Sequence, residues 1–168
     1  MNSKSGHAIK NRKEAKDVFL TPIELAKNHI NYIEYNPDEI WFDPFKNSGN
    51  YYNNFPNNNK VWTEILDGKD FFEFDEKVDI ICSNPPYSII NPILEKCIQL
   101  NPRIISFLIG VNNLTTKRIE NLNKSGYGLS KLKMLKVNDW FGMSFIAIFE
   151  KGKENCIDID RTIYYTDK

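Results

Sequence analysis

The residues best suited to chemistry are Ser83-Asn84-Pro85-Pro86-Tyr87-Ser88, which follow the apolar run Val78-Asp79-Ile80-Ile81-Cys82. An Asn-Pro-Pro-aromatic tetrapeptide at the carboxyl edge of a buried strand is a geometry that presents a planar amino group to a methyl donor. An exocyclic amine conjugated to an aromatic ring is a poor nucleophile, because its lone pair is delocalised. The Asn84 side-chain oxygen and the Pro85 carbonyl would accept the two amine hydrogens, draw the nitrogen towards tetrahedral geometry and free the lone pair. Proline fixes the direction of that carbonyl, and Pro86 adds no competing N–H. Tyr87 would stack on the ring. In-line transfer needs alignment more than a strong base. Asn84, Pro85, Pro86 and Tyr87 are therefore the candidate catalytic residues, the plain alternative being a rigid strand-ending turn.

These residues need elements to hold them. Thr21-Pro22-Ile23-Glu24 has the form of a capping box with proline at the first helical position, predicting a helix from 22 to about 35 with Ile23, Ala26, Ile30 and Ile33 on one face. Ile40-Trp41-Phe42 reads as a short strand ending in the turn-rich loop Asp43-Pro44-Phe45-Lys46-Asn47-Ser48-Gly49. A second strand is predicted over 61–66, closed by Asp67-Gly68, with Lys69-Asp70-Phe71-Phe72 in the segment before the Val78 strand. After Tyr87 a helix from about 91 to 100 is stopped by Asn101-Pro102. The run 103–110 is almost all Ile, Phe and Leu, as in a parallel strand covered on both faces. A polar helical connector spans 112–124, and strands at 129–137 and 140–151 flank Asn138-Asp139 as a hairpin. Strands alternating with helices predict an α/β fold with a mostly parallel sheet and a C-terminal antiparallel hairpin strand. In such sheets ligands lie at the carboxyl ends of the strands. Asp43, Glu64 and Asn84 fall at or near such ends, with Asp70 in a loop.

Composition sets the bounds. With 168 residues and 41% hydrophobic content, one domain with a real core is expected. It is assigned to 17–152, between a basic arm at 1–16 and a polar tail at 153–168. Twenty-two Lys and Arg balance 22 Asp and Glu, so no global field favours phosphate, and any nucleic-acid contact must be local. The candidate patches are the arm, with Lys4, Lys10, Arg12, Lys13 and Lys16 against Glu14, and the group Lys117, Arg118 and Lys124. Cys82, Cys97 and Cys156 show no CxxC spacing, so neither a disulfide framework nor a metal site is expected, and His7 and His29 read as surface or packing residues. No apolar stretch of spanning length and no signal peptide is visible, so a soluble intracellular protein of cytoplasm or nucleus is expected.

Taken in order, Thr21-Pro22, the Asp43-Pro44-Phe45 loop, Glu64, Asp70-Phe71-Phe72 and Asn84-Pro85-Pro86-Tyr87 make the chain resemble the S-adenosylmethionine-dependent adenine-N6 methyltransferases of nucleic acids, over roughly 18–151. The resemblance implies a Rossmann-like methyltransferase fold, S-adenosylmethionine as cofactor, and transfer of its methyl group to the N6 amine of adenine in DNA or RNA. It also implies cofactor contacts from Thr21, Pro22, Asp43, Pro44, Phe45, Gly49, Glu64, Asp70 and Phe71. The backbone after Asp43 would approach the methionine part, Glu64 the ribose, and Asp70 with Phe71 the adenine ring. Asp67 rivals Glu64, and Thr21 is explained as well by capping as by holding the cofactor carboxylate. The loop departs from the Asp-Pro-Phe-x-Gly-x-Gly form by having Asn47 at the first glycine. Asn tolerates left-handed backbone, so the turn is expected to persist. Little chain remains for a recognition domain, so a partner subunit could supply target recognition. Other readings are methylation of a protein glutamine or of a guanine amine, or an inactive cofactor-binding partner subunit.

Overall fold

Apolar residues occupy alternating positions on both faces of the central strands, and the helices cover both faces. In the computed structural model, which describes residues 20–137, 140, 142–160 and 162, the chain runs through α1 (Ile23–Asn31), β1 (Trp41–Asp43), β2 (Lys60–Trp62), β3 (Ile80–Ser83), α2 (Ile90–Leu100), β4 (Ile104–Gly110), α3 (Thr116–Lys124), β5 (Tyr127–Leu135) and β6 (Ser144–Lys151). The strands form one sheet in the order β2-β1-β3-β4-β6-β5. β2, β1, β3 and β4 pair in parallel, and β6 is antiparallel to both β4 and β5. The basic arm, His7, Asn138-Asp139 and Tyr164-Tyr165 lie outside the described residues.

Because side chains alternate along a strand, Trp41, Ile80, Cys82, Ile104, Leu108, Ile146 and Ile148 face one way and pack with Ala26 and Ile30 of α1. Phe42, Ile81, Ile105, Phe107, Phe145, Ala147 and Phe149 face the other way, under Ile93, Leu94 and Cys97 of α2 and Ile119 and Leu122 of α3. Both layers are needed, since β3 and β4 are buried on both sides.

Three expectations are corrected. Thr21 forms no capping box: Pro22 occupies the N-cap position without a side-chain bond, Glu24 pairs instead with Lys27, and Ile23 is exposed. The helix ends at Asn31 rather than near 35, and Asn36-Pro37 follows within a turn and a half, a dipeptide that disfavours helical backbone. The second strand stops at Trp62, because Ile65–Asp67 closes into a short 3-10 turn ending at Gly68, where φ is +77°. Glu64 itself starts that turn by accepting from the Leu66 amide.

The segment after β6 turns back along β5. Gly152 N–H donates to the Gly126 carbonyl, Cys156 N–H donates to the Leu129 carbonyl, and the Leu129 amide donates to Asn155 Oδ1. Gly128 makes room for this segment: a Cβ there would lie 2.0 Å from the Lys153 carbonyl oxygen. Backbone on both sides must then move, so Gly128→Ala should cost on the order of 2–3 kcal/mol, seen as a lower urea midpoint with an unchanged slope. An unchanged midpoint would show that residues 152–156 do not dock on β5.

Candidate active site

The carboxyl ends of β1 and β3 are adjacent because the two strands pair in parallel, and that adjacency sets Asp43 beside Ser83. Asp43 is fully buried. Its Oδ1 accepts from the Ser83 hydroxyl at 2.7 Å and from the Phe45 amide at 3.3 Å, while Oδ2 has no partner that meets hydrogen-bond geometry. Burial pushes the carboxyl up to about 7, against the pull of the Ser83 hydroxyl and of the Phe45 and Tyr52 amides, and with a further push from Glu64. An ionisable group held near neutrality with one unsatisfied buried oxygen is a feature of ligand sites more than of cores.

The loop after Asp43 turns through two left-handed residues, Asn47 at φ +46° and Gly49 at φ +86°. The Asn residue thus adopts the conformation expected of it. A Cβ at Gly49 would come within 2.8 Å of Asn53 Nδ2, so glycine is required there by space as well as by backbone. The loop is tied across to β2: the Asn47 amide donates to Glu64 Oε2 at 2.9 Å, and the Lys46 amide donates to the Thr63 carbonyl. Glu64 is only 3% exposed and both its oxygens accept backbone N–H groups, so the carboxylate is held rigidly. Its rival Asp67 is exposed and faces Lys46 at 4.0 Å.

Thr21 bridges the corner after β3 and the loop after β1. Asn84 Nδ2 donates to Thr21 Oγ1 at 3.2 Å, and Asn50 Nδ2 donates to the Thr21 carbonyl at 2.7 Å. With its amino group committed to Thr21, Asn84 keeps its Oδ1 as an acceptor with no hydrogen bond among the described residues. Pro85 and Pro86 are buried, and Tyr87 is half-buried, its hydroxyl donating to the Leu108 carbonyl at 3.2 Å. The Tyr87 ring lies over Gly110, where a Cβ would meet it at 3.3 Å.

Beyond Tyr87, at the end of β4 and the start of β6, opens a cavity of about 220 Å³ lined by Tyr87, Val111, Asn113, Trp140 and Met143. Phe71 is buried against Phe42 and Phe45. Asp70 starts a 3-10 turn by accepting from the Phe72 amide at 2.9 Å, and it borders a second cavity beside Trp62 and Lys69. It is hydrogen-bonded to none of the other candidate residues among those described.

Sequence reading gave Ser83 no role of its own and missed Asn50, Trp140 and Met143 as parts of this region. Ser83 alone left a trace, as the residue before Asn84; the others are brought in by tertiary contacts. His29 is a packing residue of the polar kind. Fully buried, it bonds Ser106 Oγ at 2.7 Å and the Tyr51 hydroxyl at 2.9 Å, and burial pushes its imidazole down to about 3. Burial also pushes the Cys82 and Cys97 thiols up, which suppresses thiolate chemistry. Among the described residues no helix is long and apolar enough to cross a membrane.

Neither a known protein-family profile nor a curated protein sequence matches the chain. Solved structures do. A modification subunit of a putative type I restriction enzyme from Vibrio vulnificus YJ016 superposes with a TM-score of 0.60 at 13% identity, over 90% of this chain and 48% of that one. A precorrin-6y C5,15-methyltransferase from Geobacter metallireducens GS-15 gives 0.58 at 14% identity, over 82% and 92% of the two chains. The magnesium protoporphyrin IX methyltransferase of Synechocystis PCC 6803, with bound SAM, gives 0.57 at 9% identity, over 88% and 92%. This chain therefore has a Rossmann-like methyltransferase fold. The restriction-enzyme subunit is about twice the length that this chain spans.

Proposed function

We propose that this protein is an S-adenosylmethionine-dependent methyltransferase that methylates the N6 amine of adenine in DNA or RNA. The observation that carries the reading is the position of Asn84. It follows Ser83, which bonds Asp43, and precedes the Pro85-Pro86-Tyr87 corner whose Tyr87 lines the aromatic cavity, and its Oδ1 accepts no hydrogen bond among the described residues. A donor on one side and a flat ring on the other would meet at that oxygen.

The residues present fit the cofactor. The unsatisfied Oδ2 of Asp43 and the tight turn at Gly49 suit the methionine part, with Pro44 and Phe45 shaping the loop between them. Glu64 is fixed by two amides, yet a carboxylate has about four acceptor sites, so it can also take ribose hydroxyls. Asp70 and Phe71 would serve the adenine end, and Thr21 with Pro22 would meet the cofactor's carboxylate. When bound, S-adenosylmethionine supplies the methyl group as an electrophilic sulfonium carbon. Asn84 and the Pro85 carbonyl accept the amine hydrogens, Tyr87 and Trp140 clamp the ring, and the apolar lining keeps water from the reacting nitrogen. The cavity's aromatic and apolar lining favours a flat base over an aliphatic glutamine amide. A further subunit for target recognition is consistent with the restriction-enzyme neighbour, a modification subunit of which this chain spans about half.

Two measurements test the proposal. Labelled S-adenosylmethionine should transfer methyl to a polynucleotide and leave a protein extract unlabelled; label appearing only in protein would overturn the adenine reading. In calorimetric titration Glu64→Gln should weaken cofactor binding by about 10- to 100-fold, the loss expected for a charged acceptor. Equal affinity in the variant would remove Glu64 from the cofactor site.

A further inference from the structure

The cationic group Lys117, Arg118 and Lys124 is not uniform. Lys117 and Lys124 are both tied to Glu120, at 3.2 and 2.9 Å. Arg118 makes no ion pair with any described residue. Its Nε donates to Asn91 Oδ1 at 2.7 Å and its Nη1 donates to the Asn113 carbonyl at 2.6 Å. Two neutral acceptors on separate elements, the start of α2 and the turn before α3, thus hold the guanidinium in one place. Neither cancels its charge, and both hydrogens of Nη2 are left without an acceptor among the described residues. Burial disfavours the charged form here, and no carboxylate among the described residues pairs with it. A half-buried arginine with its charge unneutralised and its geometry fixed is pre-organised for an external anion.

Its position says which anion. Asn113, which holds Nη1, also lines the aromatic cavity beside Tyr87 and Trp140. The guanidinium is thus bonded to a wall residue of that cavity, and it lines a separate one of about 430 Å³ with Asn91, Thr115 and Lys117. A nucleotide whose base enters the cavity must leave its sugar and phosphate at the rim. We infer that Arg118, positioned by Asn91 and Asn113, binds the backbone phosphate next to the target nucleotide. This rests on the polynucleotide reading above, and it adds a role in substrate affinity separate from the chemistry at Asn84. With zero net charge overall, binding relies on few such contacts, so salt dependence should be shallow and each contact visible in it.

Fluorescence anisotropy with single-stranded DNA and RNA 12-mers, across a salt series, tests this in the intact chain. Arg118→Gln should weaken binding about tenfold at low salt and flatten the slope of log K against log salt by about 0.7, the share of one phosphate on a single strand. Lys117→Gln, which removes a cation already paired with Glu120, should change the slope much less. Arg118→Lys keeps the charge and the slope but cannot hold both acceptors, so its affinity should fall; it also stands in if Arg118→Gln fails to fold. An unchanged slope in Arg118→Gln, wild-type affinity in Arg118→Lys, or no binding of either 12-mer by the wild type would each overturn the inference. Methyl transfer is assayed separately. Oligonucleotide binding that depends on Arg118 without methylation sinks the enzymatic reading alone, and methylation with an Arg118-independent slope sinks only this one.

Discussion

Asn84→Ala should reduce methyl transfer by about 10²- to 10³-fold, the usual cost of removing one pre-organised partner of a developing charge, while the protein stays folded. The structural loss is small. Among the described residues the Asn84 side chain makes a single part-buried hydrogen bond, from Nδ2 to Thr21 Oγ1. Removing it should cost about 1 kcal/mol, a Tm shift of about 2–4 °C for a chain of this size. Asn84→Asp separates the two roles. The carboxylate still accepts from the amine, and the Thr21 hydroxyl can turn to donate to it, so this variant should keep far more activity than the alanine. Single-turnover transfer rates and thermal melts on the three proteins decide the matter. If Asn84→Ala turns over at the wild-type rate, the amine is held elsewhere and the proposed chemistry fails.

The second large effect concerns pH, through two buried groups, His29 and Asp43, that both neighbour Tyr51. His29 is held neutral, its pKa lowered from 6.5 to about 3, so the unfolded chain binds a proton below pH 6.5 that the folded protein refuses. That contribution is complete above pH 6.5 and is lost as pH falls towards 3. Asp43 is raised from 3.8 to about 7, so the folded protein holds a proton that the unfolded chain releases. Its contribution is complete below pH 3.8 and is lost as pH rises through 7. From about pH 4 to 6.5 the two have opposite signs and similar slopes, which leaves the wild type nearly flat. Asp43→Asn removes one side of the balance. Stability should then climb by roughly 3 kcal/mol across that window, at about 1.4 kcal/mol per unit for one proton. Urea midpoints at pH 4.0, 5.2 and 6.5 measure it, and an Asp43→Asn protein as flat as the wild type would show that His29 is not held neutral. Cofactor should also shift the balance, since a cationic ligand beside Asp43 favours its ionised form.

Much of this molecule was legible in its sequence because the strands carry a strong local pattern. The nearly continuous apolar run of β4 predicted a strand covered on both faces, and α1 and α2 cover opposite faces of the sheet. Asn47 was expected to turn left-handed in place of glycine, and it does. The misreadings occurred where local rules compete with side-chain bonds made further along the chain. Thr21-Pro22-Ile23-Glu24 satisfies every rule for a capping box, but the Thr21 hydroxyl is engaged by Asn84, 63 positions away. The strand predicted over 61–66 is cut short because Glu64 turns its carboxylate onto the amides of Asn47 and Leu66.

By itself the sequence determined the sheet, its two apolar faces and the Asn-Pro-Pro-Tyr corner, since strand burial and proline geometry are properties of neighbouring residues. Tertiary structure alone decided the rest. Parallel pairing of β1 with β3 put Asp43 against Ser83, folding brought Trp140 and Met143 to Tyr87, and Asn91 with Asn113 fixed Arg118, which makes no ion pair among the described residues. Those contacts join residues up to 56 positions apart, and no local periodicity encodes a meeting at that separation.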